Sequence, residues 1–259
     1  MKLLSDYNSR VSIIIPLHNS EHFIEQTLNS VLSQNHHNWE LILIDDASKD
    51  RTLQKIKLYL HDKRITLLKT SNRNRNNATF ARNLGISKAK GRWIALLDHD
   101  DLWHPNKLSL QISHHIKSGA SISCTFYRMF RGTHFFKIIK IKPINTIKDI
   151  FGGNPIPASS VIIDRDKIKD FKMKTSLISD YSTWHFYLKQ GRKIDVVPID
   201  LMMYRLSNSN MSKNKFSMAA KVWALHRLEF QLNLMFTFFY FIKYFIASIK
   251  KYESTYIYN

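Results

Sequence analysis

Trp93-Ile94-Ala95-Leu96-Leu97-Asp98-His99-Asp100-Asp101 is the stretch on which the fold turns. Its apolar run has the length of a strand buried on both faces, and it stops abruptly at a cluster of carboxylates. Crowded carboxylates raise one another's pKa unless a cation sits among them. Magnesium or manganese would relieve that repulsion, because hard cations take carboxylate oxygens and fill the rest of their shell from substrate phosphates. A solvated surface loop is the competing reading of the same acids. The DxD spacing alone is a weak signal; the buried run before it and Leu102-Trp103-His104-Pro105 after it make it stronger.

Upstream, short apolar runs alternate with helix-like segments. Residues 11–15 read as a buried strand ended by Pro16, with Asn19 or Ser20 placed to cap a helix whose face is Ile24, Leu28, Val31 and Leu32. Residues 41–44 form a second strand, followed by Asp45-Asp46-Ala47-Ser48; Leu53, Ile56 and Leu60 mark the next helix face. Residues 65–68 predict a third strand and residues 80–89 a third helix. Such alternation predicts an α/β fold with a mostly parallel sheet covered on both faces, and ligands collect at the carboxyl ends of its strands. Asp45, Asp46, Asp98, Asp100 and Asp101 fall there.

Downstream the pattern changes. Pro105 suits the first turn of a helix presenting Leu108, Ile112 and Ile116. Strands are expected at 121–127, 135–141, around 160–163 and at 201–204, with a Gly/Pro-rich stretch at 152–157. Residues 181–190 read as a helix ended by Gly191. The sequence has no internal repeat, and its one biased tract is the Asn/Arg-rich run 71–77.

The chain has 259 residues, 44% of them hydrophobic, enough for one large domain or two closely fused ones. Thirty-nine Lys and Arg against 20 Asp and Glu give a net charge of +19, which favours an anionic partner: nucleotide phosphates, an acidic membrane or nucleic acid. One cysteine, Cys124, allows no intramolecular disulfide and points to a reducing compartment. The first residues carry no signal-peptide pattern, so a cytoplasmic location is expected.

Five blocks carry a family resemblance: Val11-Ser12-Ile13-Ile14-Ile15-Pro16-Leu17-His18-Asn19, Leu28-Asn29-Ser30-Val31-Leu32-Ser33-Gln34, Trp39 through Asp50, Ala81-Arg82-Asn83-Leu84-Gly85, and Gly91 through Asp101. In their order they resemble glycosyltransferase family 2, of the type that builds bacterial cell-surface polysaccharide and lipopolysaccharide. The resemblance implies a GT-A (Rossmann-like) fold and an inverting transfer from a nucleotide-diphosphate sugar to a hydroxyl of a glycan or lipid-linked acceptor. It divides the chain into a nucleotide-sugar-binding half (1–105), an acceptor-binding half (106–212) and a helical tail (213–259). Asp46 would accept a hydrogen bond from the nucleotide base, with Asp45 structural beside it; Pro16, His18 and Asn19 would line the base pocket. His18 stands where many relatives carry Tyr. Arg82 would approach the nucleotide, although a helix arginine paired with a nearby acid is the plainer reading. Asp98 and Asp100 would bind the Mn2+ or Mg2+, Asp100 most directly.

The acceptor half matches less well. Family members place a Glu-Asp pair at the start of a helix; here it reads Ser179-Asp180, so Asp180 keeps the catalytic base and a second charge is missing. Helix capping is the alternative role for Asp180. Tyr204-Arg205, with Ser207, Ser209 and Ser212, resembles the closing segment in which a basic residue, here Arg205, meets the diphosphate.

From Lys213 the chain is helical by pattern. Glu229, Asn233, Thr237, Tyr240, Lys243 and Lys251 share one stripe, and Leu234, Phe238, Phe241, Phe245 and Ile249 the other. A basic aromatic helix of this kind suits peripheral contact with an anionic membrane; packing on its own domain or a homodimer interface are the competing readings. Two other functions remain open: a basic nucleic-acid-binding protein, and a catalytically silent nucleotide-sugar binder. No helix-turn-helix, RNP or zinc-finger pattern supports the first, so no nucleic acid is expected, and Asp46, Asp100 and Asp180 argue against the second. A dinucleotide oxidoreductase is disfavoured, since no GxGxxG follows the first strand.

Overall fold

The computed structural model describes residues 6–70, 77–206 and 215–256. Strand β1 (Val11–Leu17) lies between β2 (Trp39–Asp45) and β4 (Trp93–Leu96), all parallel, and β3 (Ile65–Lys69) extends the parallel set beyond β2. Every residue of β1 is buried, as its unbroken apolar run predicts. Pro16 is tolerated there because the β1–β4 ladder stops at Ile14. Helices α1 (Ile24–Leu32), α2 (Thr52–Ile56) and α3 (Ala78–Lys88) connect these strands, α2 tightening into a 3-10 turn over Lys57–His61.

The same sheet continues through the second half of the chain. Its order is β3-β2-β1-β4-β8-β6-β9-β5, with β7 paired to β6. Here β5 is Leu102–Trp103, β6 Ile122–Arg131, β7 His134–Ile139, β8 Ile162–Asp164 and β9 Ile194–Arg205. Helix α4 (Lys107–Ser118) ends at Gly119 (φ 64°), and α5 (Ser179–Lys189) is followed by Gly191 (φ 74°), the conformation a helix C-terminus asks of glycine.

Three local expectations are corrected. Asn19 and Ser20 do not cap α1: its N-cap is Phe23, and the Ser20 hydroxyl instead accepts from the His18 amide. Thr27, not Leu32, completes the buried face of α1, and Leu32 is 38% exposed. The last strand is far longer than 201–204. Asp195, Pro198 and Asp200 hide it in the sequence, and a register shift between Thr125–Val197 and Phe126–Asp200 absorbs the proline.

Two glycines set how closely the layers approach. A β-carbon on Gly91 would stand 2.5 Å from the Arg10 carbonyl oxygen; one on Gly85 would meet the Ile44 and Ile14 side chains at 2.6 and 2.7 Å. Backbone cannot yield as side chains can. Gly91→Ala is therefore expected to cost about 2–3 kcal/mol in a thermal or urea melt, the upper range for overpacking. Gly85→Ala should cost less, because helix propensity returns about 1 kcal/mol.

The tail folds as α6 (Lys215–Ala224), a π-helical turn over Leu225–Glu229 and α7 (Leu234–Tyr256). The stripe read as polar faces the protein: Thr237 is fully buried, and Tyr240 packs edge-on to Phe151 at 5.0 Å. Most of the apolar stripe faces outward, with Leu234 64%, Phe238 59%, Phe245 56% and Ile249 54% exposed, but Phe241 is half-buried and packs edge-on to Trp223 at 5.3 Å. Lys213 and the side chain of Lys251 lie outside the described residues, as do Ser207, Ser209, Ser212 and most of the 71–77 run. Among the described residues no helix is long and apolar enough to cross a membrane.

Candidate active site

The acid cluster is held by hydrogen bonds from three directions. On α1, the Thr27 hydroxyl lies 2.8 Å from the His99 carbonyl and 3.0 Å from that of Asp101. From the segment before β8, the Ser159 hydroxyl accepts from the Asp98 amide (3.0 Å) and donates to Asp101 Oδ2 (2.6 Å). From the end of β9, the Arg205 amide donates to Asp101 Oδ1 (3.0 Å), and its guanidinium to the Asp100 carbonyl (2.6 Å) and Gln26 (2.7 Å). Asp101 is thus a buried internal strut. Burial first, then the charges of Asp100 and Asp98, hold its carboxyl well above the usual range.

Arg205 is tied to the acid loop. Buried, and sandwiched between the Phe23 and Phe130 rings at 4.6 and 4.4 Å, it supports the acid loop from beneath. It does not line the cleft described next.

That cleft has a volume of about 330 Å3 and brings together Arg82, Asp98, Ser179 and Asp180, with Asn77 and Thr79 at the start of α3. Arg82 forms an ion pair with Asp98. The guanidinium is buried, and Asp98 is the largest influence holding its charge, with Asp180 and Asp101 adding to it. The plain reading of a helix arginine paired to an acid is thus correct as geometry, but the pair is built into the cleft wall. Ser159, absent from any sequence expectation, is legible only once the chain is folded.

Asp180 sits in the first turn of α5, whose N-cap, Ile178, makes no side-chain cap bond, so the Asp180 carboxylate meets the orphan amide of that turn as well as facing the cleft. Its Oδ1 accepts from the Tyr181 amide and its Oδ2 from Asn154 Nδ2, both at 2.8 Å. Burial raises its pKa; the Tyr181 amide and Arg82 oppose that rise, and Asp98 adds to it. A partly buried carboxylate with a raised pKa, open to a cleft, suits proton abstraction.

A second group surrounds the carboxyl ends of β1 and β2. The His18 Nδ1 lies 2.7 Å from the Asp46 carbonyl, and its Nε2 lies 3.2 Å from the Asn19 side-chain amide. A carbonyl only accepts, so the ring proton sits on Nδ1 and Nε2 receives the amide hydrogen. Asn19 (φ 50°) also accepts from the Lys49 amide at 2.9 Å, tying the two strand ends together. Asp46 receives the Thr70 hydroxyl (2.7 Å) and the Asn77 amide (3.0 Å), so it fastens both sides of the 71–76 segment. Asp45 accepts from the Ser48 amide and is structural, as expected.

Residues 12–176 match Glycosyl transferase family 2. The Escherichia coli protein WfgD, named UDP-Glc:alpha-D-GlcNAc-diphosphoundecaprenol beta-1,3-glucosyltransferase, is 34% identical over 249 residues, covering 95% of this chain and 96% of its own. Among solved structures, S. aureus TarS 1-349 in complex with UDP-GlcNAc superposes with a TM-score of 0.67 at 16% identity, covering 93% of this chain and 73% of that one. The Pyrobaculum calidifontis mannosyltransferase PcManGT, in complex with GDP-Man and Mn2+, gives 0.66 at 14%, covering 87% and 65%. These two show the GT-A fold. With the family match running through both halves of the sheet, the chain belongs to glycosyltransferase family 2 and is a glycosyltransferase of GT-A fold.

Proposed function

We propose that this enzyme moves a sugar from a UDP-sugar, with inversion, to a hydroxyl of a lipid-linked glycan during cell-surface polysaccharide synthesis. The observation that carries the reading is the single cleft in which Asp98, Arg82 and Asp180 converge. WfgD, similar over nearly the whole chain, takes UDP-Glc and a diphosphoundecaprenol-linked acceptor by its name.

In this reading Pro16, His18, Asn19 and Asp46 border the base, Arg82 approaches the diphosphate, and Arg205 acts through the acid loop rather than by touching phosphate. The 1–105 half supplies the donor side and 106–212 the acceptor side. Asp98 and Asp100 would hold Mn2+ or Mg2+. Such ions bind through one or two carboxylates and complete their shell with substrate phosphate and water. When bound, the ion offsets the negative charge that develops on the departing diphosphate. Asp180 accepts the acceptor hydroxyl's proton as its oxygen bonds to the anomeric carbon, and the sugar–phosphate bond breaks with its electron pair leaving on the diphosphate.

The enzyme is expected to work against the cytoplasmic face of an anionic membrane, with 213–259 in peripheral contact. The outward apolar stripe of α7 supports this, as does β7 beside it, whose neighbourhood carries Lys137, Lys140 and Lys142 and no acid between 132 and 148. Deleting the tail would uncover Phe151 and Tyr181, so substitutions test it better. Phe238→Ser with Phe245→Ser should weaken binding to anionic vesicles by about 20–300-fold at unchanged melting temperature, given roughly 1.5–3 kcal/mol for each fully buried aromatic, of which the exposed 59% and 56% remain to be buried. Retained binding would sink the membrane reading, and a change from dimer to monomer would replace it with a homodimer.

The donor is tested by melting the protein with UDP-glucose or UDP-GlcNAc, with and without Mn2+. Saturating ligand should stabilise by about 2.7 kcal/mol at 100 times Kd, and only with the metal present. Stabilisation by duplex DNA instead would favour a nucleic-acid binder.

A further inference from the structure

The Gly/Pro-rich stretch 152–157 carries a side chain that the reaction scheme has not used. Asn154 donates from Nδ2 to Asp180 Oδ2 at 2.8 Å while its Oδ1 accepts the Ile156 amide at 3.0 Å. The second bond fixes the orientation of the amide group. Only the carbonyl oxygen can accept from a backbone N–H, so the NH2 must face the carboxylate.

The loop bearing Asn154 is fastened to the helix that bears Asp180. At one end the Tyr181 hydroxyl donates to the Ile150 carbonyl (2.7 Å); at the other the Trp184 indole donates to the Ile156 carbonyl (3.1 Å). Between these ties Gly153 adopts φ +124°, and a β-carbon there would stand 3.2 Å from the Tyr244 ring of α7. Asn154 is absent from the cleft lining, whereas Asp180 is part of it. Its influence on chemistry must therefore pass through Asp180.

We propose that Asn154 is the positioning residue of the base: it locks the Asp180 carboxylate in the one rotamer that opens onto the cleft. This rests on the reading of Asp180 as base. Two rotatable bonds separate that carboxylate from its helix, and the Tyr181 amide alone holds only the other oxygen. Arg82 from α3 and Asp98 from the loop after β4 face the same group, the first drawing it toward the phosphate side and the second repelling it. Without the Asn154 donor the carboxylate is free to swing toward Arg82. A displacement of about 1 Å at a reacting group costs on the order of 100-fold in rate.

The test follows UDP release with Mn2+ and water as acceptor, using whichever of UDP-glucose and UDP-GlcNAc turns over faster. Asn154→Ala should lower kcat by about 10–100-fold with the donor KM unchanged. Asn154→Asp, which keeps the size and replaces the donor with an acceptor, should fall at least as far. In an Asp180→Asn background, Asn154→Ala should add less than about twofold, since residues acting through one group are not additive. Losses that multiply, or an Asn154→Ala enzyme at wild-type kcat beside an inactive Asp180→Asn, would overturn the assignment. An Asp180→Asn enzyme at wild-type kcat would instead refute the base.

Discussion

Asp180→Asn is expected to lower sugar transfer by about 100- to 10,000-fold, the range of a positioned general base, while donor and metal bind as before. The substitution keeps the shape of the side chain. Its Oδ1 can still accept from the Tyr181 amide, so the bond at the start of α5 is kept. What disappears is the lone pair that takes the acceptor proton. A melt with UDP-sugar and Mn2+ separates the outcomes. Unchanged stabilisation with lost transfer supports the base, and equal loss of both would make Asp180 a structural residue.

Asp100→Ala should produce the second large effect, a loss of at least about 1,000-fold in transfer, since Lewis-acid stabilisation contributes several kcal/mol. It should also abolish the Mn2+ dependence of donor-induced stabilisation. Its neighbour behaves differently. Asp101 accepts from Ser159 and from the Arg205 amide, so Asp101→Ala leaves buried donors unpaired and should cost about 1–3 kcal/mol of stability whether or not metal is present. If Asp100→Ala kept its metal response while Asp101→Ala lost it, the two roles would have to be exchanged.

The parallel half of the sheet was legible because its strands are continuous apolar runs, and burial on both faces leaves no alternation to misread. The acids at their carboxyl ends followed from topology alone. Strand β9 was only partly legible, since Asp195, Pro198 and Asp200 interrupt its pattern and a bulge absorbs them. The supports of the site were illegible for another reason. Thr27, Ser159 and Asn154 act over separations of 74, 58 and 26 residues, and no local pattern encodes such pairs. Arg205 was singled out for the diphosphate alone; its bonds to the acid loop, with Asp101 104 residues away, left no mark in the local pattern. In the tail the two stripes hold only in part, since Phe241 packs on Trp223 while Asn233 and Lys243 are exposed. The periodicity could not say which faced inward, because a buried Thr237 satisfies its hydroxyl on the Asn233 carbonyl of its own helix.

That reversed helix obeys two separate rules of substitution. Its inward positions, Tyr240, Lys243 and Tyr244, must fit Phe151, Gly152 and Gly153 atom by atom. Its outward positions need only remain greasy in aggregate, so Leu, Ile, Met and Phe should interchange there without effect, as solvents of equal polarity do. A saturation library of residues 234–249 would therefore separate into two tolerance profiles on one helix. On the proposed membrane reading, one would be read by folding assays and the other only when lipid is present, so screening in buffer alone would score the outward half of the helix as dispensable.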